Sequence, residues 1–324
     1  MRESFPVRVA SVITETDDAC SFVLDADLGY QPGQFITVRV GSAARCYSLC
    51  SSPFGEERPT ITVKRTADGY ASNWLCDNVR AGATLDILPP AGTFTPQSLD
   101  ADLLLFAAGS GITPVMSILK SALATGRGRV VLMYANRDER SVIFSSALRS
   151  LLGDRLLVIH HLDSVAGPPT VESLAALARP YAGYEAFICG PDPFMTAVRS
   201  ALSSIGMPAS RVHVERFLSL SENPFEEAPL AADAVASQIT VTLDGVTRSL
   251  EWPPGRRMLD VLLDAGLDAP FSCRQGICGA CACQLTDGKV DMAHNEVLEG
   301  SDLAEGWILA CQSTAVTDSV EITY

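Results

Sequence analysis

The strongest constraint on this chain is a run of cysteines near its C-terminal end. Cys273, Cys278 and Cys281 are separated by four and then two residues, and Cys311 follows 30 positions after Cys281. Five of the ten cysteines fall in the last 52 residues. The opening Met1-Arg2-Glu3-Ser4-Phe5-Pro6 has no apolar leader of the kind that directs export, so a disulfide framework is not expected and metal binding is the first explanation. One loop and one distant position can bring four thiolates together only if the chain folds back on itself. The Cys273–Cys278 loop must then wrap whatever the thiolates hold. Gly276 and Gly279 supply the unusual dihedrals and the close backbone approach that wrapping requires.

A structural zinc site normally uses two short paired spacings, which a four-residue loop and a lone distant cysteine fit poorly. Two irons bridged by two sulfides need four converging thiolates, with backbone N–H groups aimed at the sulfurs. The C-x4-C-x2-C…C spacing is that of plant-type ferredoxins. Pro270-Phe271-Ser272-Cys273-Arg274 and Ile308-Leu309-Ala310-Cys311-Gln312 also resemble plant-type ferredoxin sequence. The resemblance implies an α+β, β-grasp module holding a [2Fe–2S] cluster on Cys273, Cys278, Cys281 and Cys311. Cys283 reads as a buried bystander. The alternative from a different class, a zinc-stabilised nucleotide-binding regulator, predicts a colourless protein.

At 324 residues the chain can build two or three cores, and three segments separate on pattern. Short apolar runs at 7–13, 21–24, 34–40, 47–50, 60–64 and 84–88, punctuated by turns, predict an antiparallel β-barrel over residues 1–100, with one helix near 71–79. Over 101–218 strand runs (103–107, 130–134, 156–160, 186–189) alternate with helical spacing (115–124, 142–152, 171–177, 194–205). That alternation predicts an α/β domain built on a parallel sheet. Residues 219–237, with two prolines and four acidic side chains, suit a linker. The remainder, 238–324, opens with two strands near 239–243 and 247–252 and a helix near 258–265, followed by the cysteine loop. The chain is thus expected to be multidomain.

Charge bears on partners. Residues 219–324 hold 17 acidic and 5 basic side chains, which accounts for twelve of the net −14. So acidic a module repels nucleic acid and anionic lipid and favours a basic protein surface, although a solvated acidic face kept for solubility reads equally well from charge alone. No stretch approaches the roughly 20 apolar residues of a bilayer span. A cytoplasmic protein, without membrane or nucleic-acid partners, is expected.

Two further motifs fall in register with this layout. Arg45-Cys46-Tyr47-Ser48 sits on an expected barrel strand, and Ala107-Ala108-Gly109-Ser110-Gly111-Ile112-Thr113-Pro114 follows a buried strand and opens a helix. Glycines there let a dinucleotide approach the backbone. Gly69-Tyr70-Ala71-Ser72-Asn73 precedes the barrel helix and reads either as an anion site at a helix start or as plain capping by Ser72. Ile188-Cys189-Gly190-Pro191 ends the last strand of the α/β segment.

Together these resemble the ferredoxin–NADP reductase superfamily. The resemblance implies that Arg45 pairs with a flavin phosphate, that Tyr47 packs on the isoalloxazine, and that the Ser48 hydroxyl lies near N5. It also implies that Gly69, Ala71 and Ser72 bind the flavin diphosphate, and that Gly109, Gly111 and Thr113 meet the nicotinamide end of the nucleotide. Cys189, with Gly190 and Pro191, would stand beside the reacting nicotinamide carbon. Glu215 and Phe217, in Val214-Glu215-Arg216-Phe217, match a segment returning towards the flavin. Arg137, in Tyr134-Ala135-Asn136-Arg137-Asp138, would meet the adenosine ribose. An arginine there suits the 2′-phosphate of NADPH, yet NADH-using relatives carry one too, and NADH is favoured. Ser48, Thr113, Cys189 and Glu215 are the candidates nearest the chemistry. The four histidines form no site, and the His160-His161 pair reads as structural.

The order of flavin barrel, nucleotide domain and C-terminal ferredoxin is similar to the reductase components of multicomponent oxygenases. Residues 45–53, 63–75 and 134–138 most resemble the steroid 9α-hydroxylase reductases. That likeness implies FAD rather than FMN, and a Rieske-type terminal oxygenase as partner to a monomeric reductase. The alternative acceptors are a diiron hydroxylase, a desaturase or an acyl-CoA epoxidase. A hydride carries two electrons and a [2Fe–2S] centre takes one, and flavin converts between them.

Overall fold

A computed structural model describes residues 4–55, 57–217, 220, 223–225 and 236–324. Three sheets build the molecule. The first has six antiparallel strands: β1 (Phe5–Thr16), β2 (Ala19–Asp25), β3 (Phe35–Val40), β4 (Ala43–Ser48), β5 (Thr60–Lys64) and β6 (Thr84–Ile87). Their order is β4-β3-β6-β1-β2-β5. A bridge between Leu49 and Ile61 ties the two ends of that order together, so the sheet closes as a barrel. β6 alternates strictly between exposed and buried positions, as a strand with one face in the barrel requires, whereas β3 is buried along almost its whole length. Val9, Phe22, Ile36, Val38, Leu49 and Ile61 fill the interior, and helix α1 (Tyr70–Asn78) packs Leu75 and Ala71 onto it.

The second sheet is parallel, with strands β7 (Leu103–Ala108), β8 (Val130–Asn136), β9 (Leu156–Leu162), β10 (Glu185–Cys189) and β11 (Val212–Glu215) in the order β11-β10-β7-β8-β9. Every residue of β7 and β8 is buried, which is why both read as unbroken apolar runs: helices cover the two faces. Those helices are α2 (Ile112–Thr125), α3 (Ser145–Leu151), α4 (Asp163–Ala166), α5 (Val171–Ala178) and α6 (Asp192–Ser204).

The third sheet is mixed. Strands β12 (Ser237–Leu243), β13 (Val246–Trp252), β14 (Ala282–Asp287), β16 (Trp307–Leu309) and β18 (Ser319–Thr323) are ordered β13-β12-β18-β14-β16, and a small ladder pairs β15 (Val290–Met292) with β17 (Ser313–Ala315). Helix α7 (Met258–Asp264) buries Met258, Leu259 and Leu262 against the sheet, and α8 (Gly300–Ala304) precedes β16.

The architecture agrees with the expected fold class, and some elements differ. The strand expected at 47–50 runs from Ala43 to Ser48, because its register is set by pairing with β3 from Val40↔Ala43 to Phe35↔Ser48. The helix expected at 142–152 is shorter, since Phe144 takes φ +62° and forces a break before α3. Much of the expected linker, with Glu222, Glu226, Glu227 and Asp233, lies outside the described residues. Leu220 is buried beside Ala44 and Cys273, and the Phe225 ring takes the Arg39 guanidinium at 4.9 Å. These two positions are docked on the barrel.

Candidate functional site

The cysteine loop lies between α7 and β14. Cys273, Cys281 and Cys311 are buried, and Cys278 is partly exposed. The Cys273 sulfur lies close enough to the Cys278 and Cys311 thiols, and Cys281 to Cys311, to shift their titration. The Gln275 N–H donates to Cys273 Sγ at 3.3 Å, and the Cys311 N–H donates to Cys281 Sγ at 3.5 Å. Hydrogen bonds from Cys278 and Cys311 hold the Cys273 thiol well below the usual range. Those same contacts, together with burial, push Cys278 and Cys311 up. The four sulfurs act on one another's titration, as neighbouring thiols must. The donors aimed at sulfur suit a cluster.

The loop is locked in shape. Gly276 has φ +74°, and a Cβ there would lie 2.4 Å from the His294 carbonyl oxygen, so only glycine fits. Arg274 has φ +58°, held by Asp260 at 3.4 Å and by the Phe271 ring at 4.8 Å. Its carbonyl accepts from Gln312 Nε2 at 2.7 Å and Arg257 Nη1 at 3.1 Å. Cys283 sits at 0% exposure in the core of this sheet.

The barrel strands β3 and β4 come directly against this loop. Thr37 Oγ1 lies 2.9 Å from Ser272 Oγ and 3.5 Å from Cys46 Sγ, and Cys46 and Cys278 pack around the buried trio Ala44, Leu220 and Cys273. Sequence reasoning singled out neither Thr37 nor Ser272 for this contact. A threonine inside an apolar strand carries no local signal of what it will meet. Strand alternation places Arg45 and Tyr47 on one face of β4 and Cys46 and Ser48 on the other. Arg45 Nη1 donates to Ala44 O at 2.7 Å and Leu220 O at 3.4 Å, and among the described residues it has no carboxylate partner. An arginine satisfied only by carbonyls retains its charge for a phosphate. Tyr47 is half-buried, and burial raises its phenol beyond the usual range.

At helix α1 the cap residue is Gly69, without a side-chain cap. Ser72 does not serve as the N-cap. It lies in the first turn, where its hydroxyl accepts from the Thr66 N–H at 3.1 Å and donates to Gly69 O at 3.4 Å. Ala71 is buried beneath.

In the parallel sheet, consecutive β7 and β8 lie to one side while β10 lies to the other. The crevice at the carboxyl ends of β7 and β10 is therefore the topological switch point, where open α/β sheets bind ligands. Both glycine motifs meet there. A Cβ on Gly111 would stand 2.2 Å from the Cys189 carbonyl oxygen, and one on Gly190 would stand 2.9 Å from the Phe194 ring. Gly109 has φ +53°, and its carbonyl accepts from Tyr134 Oη at 3.1 Å. Thr113 Oγ1 donates to Ser110 O at 3.0 Å, and α2 starts without a side-chain cap. The Ile112 N–H at its start is taken by the Gly109 and Ser110 carbonyls of the preceding 3₁₀ turn, from which α2 continues. Pro191 caps α6.

Glu215 links the three regions. It is the register partner of Cys189, it adds a smaller electrostatic push to the burial that raises the Cys46 and Cys189 thiols, and it shares with Cys278 a cleft of about 1130 Å³. Burial pushes its carboxyl up to about 8. Phe217 is exposed nearby in sequence. Arg137 follows β8 and is largely exposed. His160 and His161 lie within β9, where His161 Nε2 meets Gly167 O at 2.7 Å.

Three family models match the chain: an oxidoreductase FAD-binding domain over residues 6–95, an oxidoreductase NAD-binding domain over 105–200, and a 2Fe-2S iron-sulfur cluster binding domain over 241–316. The last of these sets aside the zinc-stabilised regulator. The ferredoxin reductase component of 3-ketosteroid-9-alpha-monooxygenase from Mycolicibacterium smegmatis is 56% identical, over 98% of this chain and 96% of its own. Among solved structures, phthalate dioxygenase reductase superposes with a TM-score of 0.61 at 27% identity, covering 99% of this chain and 98% of that one. CYP116B46 from Tepidiphilus thermophilus gives a TM-score of 0.70 at 27% identity over 98% of this chain, which spans 41% of that longer one. Among the described residues no helix is long and apolar enough to cross a membrane.

Proposed function

Because the chain belongs to the flavin- and [2Fe–2S]-containing oxygenase reductases of the ferredoxin–NADP reductase superfamily, we propose that it delivers electrons from NADH to a Rieske-type oxygenase acting on a ketosteroid at the 9α position. It is an electron-transfer oxidoreductase with FAD- and NAD-binding domains and a [2Fe–2S] domain, and it works with a terminal oxygenase. The observation that carries the finer reading is the 56% identity, over nearly both full lengths, to a ketosteroid monooxygenase reductase. The protein is read as a cytoplasmic monomer of three domains, 1–100, 101–218 and 238–324, joined across 219–237.

Bound against β4, FAD supplies the conversion between a two-electron hydride and the one-electron centre. The chain's own groups do the rest. Arg45 would offer its guanidinium to the flavin phosphate, and Tyr47, on the same face of β4, would lie along the ring. Ser48, buried on the opposite face, is assigned to N5 by the family resemblance alone. Gly69, Ala71 and Ser72 shape the start of α1 for the diphosphate. Gly109, Gly111 and Thr113 open the switch-point crevice to the nucleotide, and Arg137 receives its ribose. Cys189, Gly190 and Pro191 form the floor beneath the nicotinamide. Glu215, at the end of β11 beside Cys189, and Phe217 would close the site from the edge of the parallel sheet. Cys273, Cys278, Cys281 and Cys311 would hold the cluster in the loop that packs against β3 and β4, next to the strand carrying the flavin residues.

The test mixes the purified reductase with a Rieske-type ketosteroid oxygenase and, separately, with a diiron hydroxylase. NADH consumption coupled to hydroxylated steroid is the expected result. Coupling to the diiron enzyme alone would overturn the Rieske assignment.

A further inference from the structure

Asp18, in the tight turn between β1 and β2 of the barrel, reaches across to the nucleotide domain. Its backbone is pinned by the Arg65 N–H, which donates to Asp18 O at 2.7 Å. Its carboxylate is held by the Thr16 hydroxyl, which donates to Oδ1 at 2.8 Å. That leaves Oδ2 facing two cations: Lys64 Nζ at 3.7 Å and Arg137 Nη2 at 3.9 Å. Lys64 itself stands beside the glycine loop, with its Nζ 3.8 Å from where a Gly109 Cβ would lie. Asp18 also lies close enough to Tyr134, whose hydroxyl meets Gly109 O, to act on its phenol electrostatically. An anion from the barrel therefore stands at the mouth of the β7–β8 end of the nucleotide site, between two cations, Lys64 and Arg137.

We propose that Asp18 is a specificity-determining residue that selects NADH over NADPH. The inference rests on the placement of the ribose at Arg137. A 2′-phosphate would bring nearly two negative charges to the guanidinium that Asp18 already faces, and it would meet the carboxylate as a like charge. A ribose hydroxyl meets neither obstacle. At separations of 5–7 Å in a solvent-exposed setting, repulsion between such charges is on the order of 1.4 kcal/mol, or about tenfold in affinity. The fixed orientation of the carboxylate distinguishes this from a floppy surface pair, which would rotate away from an arriving phosphate.

Calorimetric titration of the oxidised holoprotein with 5′-ADP and with 2′,5′-ADP tests this without turnover, in wild type, Asp18→Asn and Arg137→Gln. The kcat/KM ratio for NADPH over NADH provides a second readout. Asp18→Asn should tighten 2′,5′-ADP about tenfold and raise the NADPH/NADH ratio to a similar extent, while 5′-ADP stays within about twofold. In the double variant with Arg137→Gln the gain should disappear. If Asp18→Asn leaves the ratio of the two ligands unchanged while Arg137→Gln alters it, Asp18 has no such role and the placement of the ribose stands. If Arg137→Gln changes the binding of neither ligand, the placement itself is wrong and the inference falls with it.

Discussion

Thr37 of the barrel and Ser272, the residue before the first cluster cysteine, share a buried hydrogen bond of 2.9 Å across 235 positions of sequence. Thr37 also touches Cys46 on β4. One hydroxyl thus fixes the spacing between β4 and the cysteine loop. Thr37→Val keeps the shape and strands the Ser272 hydroxyl, at a cost of about 1–3 kcal/mol. In rapid mixing with NADH, flavin bleaching should keep its rate while cluster bleaching slows several-fold. Thr37→Ser should restore it. Equal rates in all three proteins would show that the contact does not set the transfer.

The cluster ligands can be separated from their bystander. Cys278→Ala should abolish iron and labile sulfide and remove the cluster's visible absorption while FAD stays bound. Cys283→Ala, in the core of the third sheet, should keep both and lose about 1–2 kcal/mol of stability, as expected for a small buried side chain, seen as a lower thermal midpoint. Iron retained in Cys278→Ala, or lost in Cys283→Ala at temperatures where the protein is folded, would reverse the assignment.

Gly111→Ala places a methyl 2.2 Å from the Cys189 carbonyl. Either α2 or β10 must shift, at about 1–3 kcal/mol, and the crevice narrows. The KM for NADH should rise at least several-fold with the flavin spectrum intact. An unchanged KM would place the nucleotide elsewhere.

The parts of this molecule legible in its sequence are those written in local pattern. β7 and β8 are continuous apolar runs because both of their faces are covered, and the cysteine spacing announces its loop unaided. The later strands of the ferredoxin module are a different matter. β15, β16 and β17 are three residues each, too short for a period to declare itself, and they exist because partners elsewhere in the chain pair with them. The functional contacts are hidden for a similar reason. Asp18 reads as an ordinary turn acid and Thr37 as a strand threonine, and only tertiary packing puts them beside Arg137 and Ser272. Of the two readings of the Gly69–Asn73 segment, plain capping by Ser72 does not hold, because the helix begins at Tyr70 with Gly69 at its cap.

Glu215 gives a pH signature. Its carboxyl is raised from 4.5 to about 8 by burial, so the native state holds a proton that the unfolded chain releases. Stability associated with this group is therefore full below about pH 4.5, falls as pH rises towards 8 and is flat above. Glu215→Gln should remove that slope, so the thermal midpoint of the variant relative to wild type should increase between pH 5 and pH 8. A difference that stays constant over this range would contradict the burial of the carboxyl.

The central claim is that FAD and one [2Fe–2S] cluster lie in series on this chain, and an anaerobic titration of the holoprotein with NADH measures it directly. Two electrons for the flavin and one for the cluster require about 1.5 equivalents of NADH for complete bleaching, with the cluster's absorption lost along with the flavin's. An endpoint at about one equivalent with the iron–sulfur absorption untouched, or a protein that carries zinc in place of iron and sulfide, would contradict the account.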